Sequence, residues 1–220
     1  MRIRHPSPNC GPRRDGLRPE LVVIHYTEMP DAEAALERLC APEAQVSAHY
    51  LIGADGRVWR LVEEDARAWH AGAGEWRGRG DVNSRSIGIE LDNDGRSPFA
   101  APQMRALEGL LPGILERWRI APSGVIAHSD LAPERKVDPG PRFDWRRLAL
   151  RGLAVWPFSP GEAALPLDAT LDRIGYPRVA PDLRLAAFRL RFRPGATGPE
   201  DATDRALAAA VAHATEAPPA

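Results

Sequence analysis

Apolar and polar positions fall into short blocks along the chain, and the period of those blocks changes from two to about three and a half and back. The first block, Leu-Val-Val-Ile-His-Tyr-Thr over 21–27, is dense in β-branched and aromatic residues and predicts a strand. A helix follows over 31–40, then strands over 47–52 and 57–62 joined through Ala54, Asp55 and Gly56, a hairpin-type turn. Residues 66–83 read as a long glycine-rich loop. Ser-Ile-Gly-Ile-Glu-Leu over 86–91 alternates cleanly and predicts another strand. Pro102 sits at a helix start, and Met104, Leu107, Leu111, Leu115 and Trp118 carry the helical period to about 119. A last strand over 125–128 runs into a loop that reaches Trp145.

Strands and helices interleave, so the pattern predicts an α/β domain with a central mixed β-sheet flanked by helices. Residues 1–20, rich in Pro, Gly and Arg, read as an irregular lead-in, and 21–157 as the main domain. Composition shifts to a linker over 158–167. Residues 168–216 then read as short helices, a small all-α module of about 50 residues.

The totals narrow the function classes. The chain has 220 residues, 44% hydrophobic and 27% charged, enough to bury a core. A net charge of −1 argues against nucleic acid as a partner. No apolar run approaches the roughly 20 residues of a membrane span. The start lacks the apolar core of a signal peptide, so a cytoplasmic location is expected as written, with the cell envelope the alternative if the true start lies upstream. Cys10 and Cys40 make no disulfide framework. Among 29 basic residues there is one lysine, Lys136. A site that needs a compact ammonium rather than a planar guanidinium keeps its lysine even in an arginine-biased chain.

Candidate chemistry gathers at strand ends. His25 shares a strand face with Val23 and Thr27, His128 closes a strand, and Asp138 precedes a Pro-Gly turn. Two histidines and a carboxylate suit a catalytic zinc site with one open position, although this spacing equally suits hydrogen-bonded structural histidines. On the strand over 86–91, Ser86, Gly88 and Glu90 form a face that is small, small and acidic. The Glu90 carboxylate there overlooks open space, where a general base would stand. Lys136 lies two residues before Asp138 and could face a developing oxyanion. Trp69, His70 and Trp76 belong to a loop that could line a cleft for sugar or peptide, or could be its anchors. His49 reads as a satisfied structural histidine.

The blocks Val-Ile-His-Tyr-Thr, Ser-Ala-His-Tyr-Leu-Ile, Arg-Ala-Trp-His-Ala-Gly, Ser-Ile-Gly-Ile-Glu-Leu, Ala-His-Ser-Asp and Arg-Lys-Val-Asp-Pro-Gly occur in this order over 21–157. In that order they resemble the zinc-dependent N-acetylmuramoyl-L-alanine amidases, whose fold is shared with phage amidase lysozymes and peptidoglycan recognition proteins. The resemblance implies one Zn2+ held by His25, His128 and Asp138, Glu90 as the catalytic base and Lys136 at the oxyanion. It implies hydrolysis of the amide between N-acetylmuramic acid, or its 1,6-anhydro form, and L-alanine of the stem peptide. Peptidoglycan fragments or murein would be the partner, and a non-catalytic peptidoglycan-binding protein with the same groove is the alternative. Ala48 stands where phage members carry a tyrosine, which leaves the base role to Glu90. The C-terminal segment resembles a diverged three-helix peptidoglycan-binding module, as in the envelope-facing branch of the family.

Overall fold

The computed structural model describes residues 2–216. In chain order, the first half holds β1 (Arg2–Arg4), β2 (Cys10–Pro12), β3 (Leu21–Tyr26), α1 (Ala32–Cys40), β4 (Tyr50–Ile52), β5 (Val58–Arg60), β6 (Ala66–Ala68) and α2 (Val82–Arg85). The second holds β7 (Ser86–Leu91), α3 (Ala101–Trp118), β8 (Val125–Ala127), α4 (His128–Leu131), α5 (Trp145–Ala149), α6 (Leu167–Ile174), α7 (Pro181–Phe192) and α8 (Ala202–Glu216). Six strands form one mixed sheet in the order β1-β5-β4-β7-β3-β8, and β2 and β6 form a second, two-stranded sheet. Next to one edge, β3 runs parallel to both β7 and the edge strand β8. The expected α/β architecture with helices on a mixed sheet is what the chain adopts.

Alternation along the strands sorts residues between two layers. Val22, Ile24, Ile87 and Ile89 pack under α3 against Met104, Leu107 and Leu111. Leu21 and Val23 point to the other face, as does His25 by the same period. Asp31 caps α1 by accepting a hydrogen bond from Ala34 N at 2.8 Å, which explains why the helix starts there.

The lead-in is not irregular. β1 adds in parallel to β5 at the sheet edge, and β2 pairs antiparallel with β6, which itself lies inside the stretch read as a glycine-rich loop. Strands of three residues carry too little alternation to be seen, and their partners rather than local propensity specify them. Arg13 follows β2 and donates to the carbonyls of Ser84 (2.8 Å), Glu64 (2.8 Å) and Ser86 (3.1 Å), so the segment is tied to the strand that carries Glu90.

The three C-terminal helices do not hang from a tether. Leu167, Leu171, Ile174, Phe188, Phe192 and Ala208 share one buried cluster with Leu21, Val23 and Ile126 of the sheet and Leu131 of α4. The stretch read as a linker lies along α8, where Gly161 N donates to Ala206 O at 2.9 Å. A Cβ on Gly161 would come within 2.7 Å of Ala210 N, so only glycine permits that approach. Among the described residues no helix is long and apolar enough to cross a membrane.

Candidate active site

The C-terminal ends of β3, β7 and β8 open on one cavity of about 320 Å³, the position at which open α/β sheets hold ligands. His25 is the fifth residue of β3 and stands in register with Glu90 of β7. His128 opens the single turn α4 immediately after β8. Asp138 comes from the following loop, and its carbonyl accepts the Ser129 N–H at 3.0 Å, which joins that loop to the His128 turn.

These three side chains meet. His25 Nδ1, His128 Nδ1 and Asp138 Oδ2 form a triangle with every side 3.0 Å, and all three residues are buried. Their tautomers follow from the opposite ring atoms. His128 Nε2 donates to Ala71 O at 3.1 Å, and His25 Nε2 donates to His70 Nδ1 at 3.0 Å. With the Nε2 protons so placed, two imidazole lone pairs and a carboxylate oxygen face one another with no proton between them. Such a group repels itself unless a cation lies among the three atoms, and the set can hold a metal ion. The ligand atoms of a tetrahedral zinc with bonds of about 2.0–2.1 Å stand about 3.3 Å apart, close to this triangle.

The His25 tautomer is fixed by a chain of bonds behind it. His70 accepts at Nδ1, donates from Nε2 to Ser86 Oγ at 3.1 Å, and Ser86 in turn donates to Val82 O at 2.6 Å. Val82 O can only accept, so every proton in the chain has one possible direction. Asn83 Oδ1 holds the backbone of His70 and Ala71 by accepting their N–H groups at 2.9 and 2.8 Å. Gly88 makes the room, since a Cβ there would overlap the His70 ring. The small face of β7 is therefore small in order to seat a histidine. His70→Leu should strand His25 Nε2 and weaken metal binding roughly 10–100-fold, the usual range for such outer contacts. His70→Asn, which keeps an acceptor at Oδ1, should retain most of the affinity. Competition against a chromogenic chelator measures both, and equal affinity for wild type and His70→Leu would remove His70 from this role.

Burial dominates the electrostatics. It lowers His25 to about 4, helped by the charge of His128, and lowers His49 to about 3, helped by Arg13. His70 is held well below the ordinary histidine value by burial and its histidine neighbours. Burial pushes Glu90 well above the usual carboxylate range, Asp138 adds to that, and Lys136 opposes it. Glu90 Oε2 is sealed from solvent without a hydrogen-bond partner. Asp138 moves the other way despite its burial, because His128 and His25 beside its carboxylate hold it low.

His49 sits one layer behind the site, accepting Gly88 N–H at Nδ1 (2.9 Å) and facing Ala66 O from Nε2 (3.2 Å). It is a structural histidine with a depressed folded pKa, so the unfolded chain binds the extra proton as pH falls. Its contribution is complete above about 6.5 and is lost as pH falls toward 3, at roughly 1.4 kcal/mol per pH unit. Urea unfolding at pH 7 and pH 5 should show this loss in wild type and a smaller one in His49→Asn. Equal losses would contradict it.

Lys136 is half-buried on the same cavity wall as Asp138, with no carboxylate within 4 Å among the described residues. Trp69 is half-buried and lines the cavity too. Trp76 does not. It is 2% exposed and packs edge-on against Tyr176 at 5.3 Å, so the expectation of a groove-lining role is corrected to that of a core anchor between the loop and the C-terminal helices. His70 borders the cavity, but both of its ring nitrogens are committed inward, so it is a support for His25 rather than a substrate contact. Sequence reading passed over Ser86 and Gly88 as supports, although the small, small, acidic alternation was their signal. It also passed over Met29 and Arg38 on the cavity wall, which α1 and the turn before it supply without any local signature.

The chain is similar to several known proteins. A family profile described as N-acetylmuramoyl-L-alanine amidase matches residues 15–141. The N-acetylmuramoyl-L-alanine amidase AmiD of Escherichia coli is 38% identical over 88% of this chain and 82% of its own. The 1,6-anhydro-N-acetylmuramyl-L-alanine amidase AmpD of Enterobacter cloacae is 36% identical over 66% of this chain and 87% of its own. A solved complex of E. coli AmiD with the substrate anhydro-N-acetylmuramic acid-L-Ala-D-γ-Glu-L-Lys superposes with a TM-score of 0.80 over 91% of both chains. The crystal structure of AmpDh3 from Pseudomonas aeruginosa gives 0.82 at 32% identity, over 93% of this chain and 95% of that one.

Proposed function

The chain belongs to the N-acetylmuramoyl-L-alanine amidase family, and from that premise we propose that it uses a zinc ion at His25, His128 and Asp138 to cleave the amide between N-acetylmuramic acid, intact or 1,6-anhydro, and L-alanine of peptidoglycan stem peptides. The observation that carries this reading is the buried triangle of two histidine nitrogens and one carboxylate oxygen, each 3.0 Å from the other two. Two imidazoles and one carboxylate leave a fourth position open, as catalytic zinc sites do. Zinc, when bound, supplies Lewis-acid polarisation of the carbonyl and acidification of water.

The chain's own residues do the rest. Glu90, on the cavity wall beside the ligand triangle, takes the proton of the attacking water and returns it to the departing L-alanine amine. Lys136 sets an ammonium in the cavity to balance the charge that develops on the carbonyl oxygen. Trp69 and Met29 offer apolar wall to the sugar and peptide, and Arg38 offers a cation to stem-peptide carboxylates. Lys136→Arg, conservative in charge, should lower turnover by about tenfold or more with metal still bound, because a guanidinium cannot occupy the place of a point charge. A fully active Lys136→Arg protein would return this lysine to an ordinary surface charge.

AmpD and the AmiD complex name anhydro substrates, which supports soluble anhydro-muropeptides as one substrate. The helices over 168–216 are read as a peptidoglycan-binding-like module, which would favour intact murein. Mass spectrometry of products from both substrates decides. Release of peptides with a free L-alanine amino terminus from anhydro-muropeptides, from sacculi or from both is the expected result, and no such peptide from either would overturn the reading. Preference for sacculi would place the enzyme's work in the envelope, and preference for soluble fragments in the cytoplasm.

A further inference from the structure

Helix α7 buries three arginines, Arg184, Arg189 and Arg191. Two of them bind the C-terminal helices to one another. Arg184 pairs with Asp168 (3.1 Å) and Asp172 (2.6 Å) of α6, and Arg189 pairs with Asp204 of α8 at 2.5 Å. Arg191 leaves the helical segment altogether. Its Nη1 donates to Asp130 Oδ2 at 2.6 Å and its Nη2 to Val125 O at 3.0 Å, while its guanidinium lies 4.0 Å from the centre of the Trp145 ring.

Those two acceptors bracket a metal ligand. Val125 opens β8, Asp130 lies in α4, and His128 stands between them. Asp130 is fully buried, and its Oδ2 also accepts Ala127 N–H at 2.9 Å, which fixes the peptide immediately before His128. Its other oxygen accepts the hydroxyl of Tyr176, in the connection between α6 and α7, at 2.7 Å. One residue after His128, Ser129 N reaches Asp138 O at 3.0 Å, so the backbone of a second ligand hangs on the same turn.

We infer that Arg191, with Tyr176, is a positioning residue for the metal site, and that the C-terminal helices act as a buttress that holds His128 and Asp138 in place through Asp130. This rests on the metal-site reading above. A buried ion pair adds little to stability compared with apolar packing, but it specifies one arrangement of the chain, which is what a ligand turn at a strand end needs. The fork of Arg191 matters here as much as its charge, because it joins a carboxylate on α4 to a carbonyl on β8.

The test uses the full chain and two readouts besides activity. In metal-stripped Arg191→Met, amide hydrogen exchange at Ala127 and Ser129 should accelerate about tenfold or more while amides inside α8 keep wild-type rates. Zinc affinity by chelator competition should fall about tenfold, and Arg191→Lys, with charge but no fork, should lie between. If Arg191→Met does not fold, Tyr176→Phe removes one bond to Asp130 and keeps the ring, and it should show the same local exchange with a smaller loss of affinity. A lowered unfolding midpoint with wild-type exchange at Ala127 and Ser129 and wild-type zinc affinity would make Arg191 merely structural and overturn the inference. Failure of the wild type to bind zinc would instead count against the metal site, and the exchange arm would still judge Arg191.

Discussion

His128→Ala should abolish amidase activity, a fall of at least ~10³-fold, with the fold retained. A catalytic metal is worth several kcal/mol of transition-state stabilisation, and 1.36 kcal/mol is one decade of rate. His128 supplies one corner of the ligand triangle, held there by the bond of its other nitrogen to Ala71 O, and its removal leaves two ligand atoms of three. The remaining pair, His25 Nδ1 and Asp138 Oδ2, would be a charge-assisted hydrogen bond at 3.0 Å once His25 takes up a second proton at Nδ1, which is a reason for metal to be lost rather than loosely held. Metal content by elemental analysis and turnover of a muropeptide, with circular dichroism as the control for folding, check this. A metal-free His128→Ala protein that still turned over would show that the reaction does not need this site.

Glu90→Gln is the second large effect. The substitution keeps size and polarity and removes only the ability to take a proton, so kcat should fall at least ~10²-fold while metal content stays at the wild-type level. The surroundings sharpen the expectation. Oε2 is sealed without a partner, and burial beside Asp138 pushes the carboxyl well above its ordinary range. With no protein donor on it, Oε2 is free to meet a water in the cavity. Ala48, fully buried, offers no second acid or base at the position where phage members carry tyrosine. Wild-type turnover by Glu90→Gln would leave the base unassigned.

Much of this is legible in the sequence, for reasons that differ by residue. The strands over 21–26 and 86–91 are long enough for alternation to show, and they place His25 and Glu90 on one face because parallel pairing keeps that alternation in register. His128 and Asp138 were legible through their motifs. The supports were not. His70 looked like a loop residue free to meet substrate, and only the three-dimensional approach over Gly88 shows that its ring points into the protein. Trp76 stands among glycines, where cleft wall and loop anchor read equally well, and Tyr176, about a hundred residues further along the chain, covers it. β1 and β2 escaped because strands of three residues are made by their partners. Asp130 and Arg191 lie 61 positions apart, and a buried pair at that separation leaves no local trace in either segment.

Three residues, at the ends of β3 and β8 and in the following loop, are proposed to make an amide-cleaving metal centre. The most direct test strips the full-length protein with a chelator, restores one equivalent of zinc, and follows release of L-alanine-terminated peptide from purified muropeptides by mass spectrometry. Activity that disappears on stripping and returns with zinc in the wild type, but not in His128→Ala, is the predicted result. Cleavage at the wild-type rate by the stripped protein would contradict it.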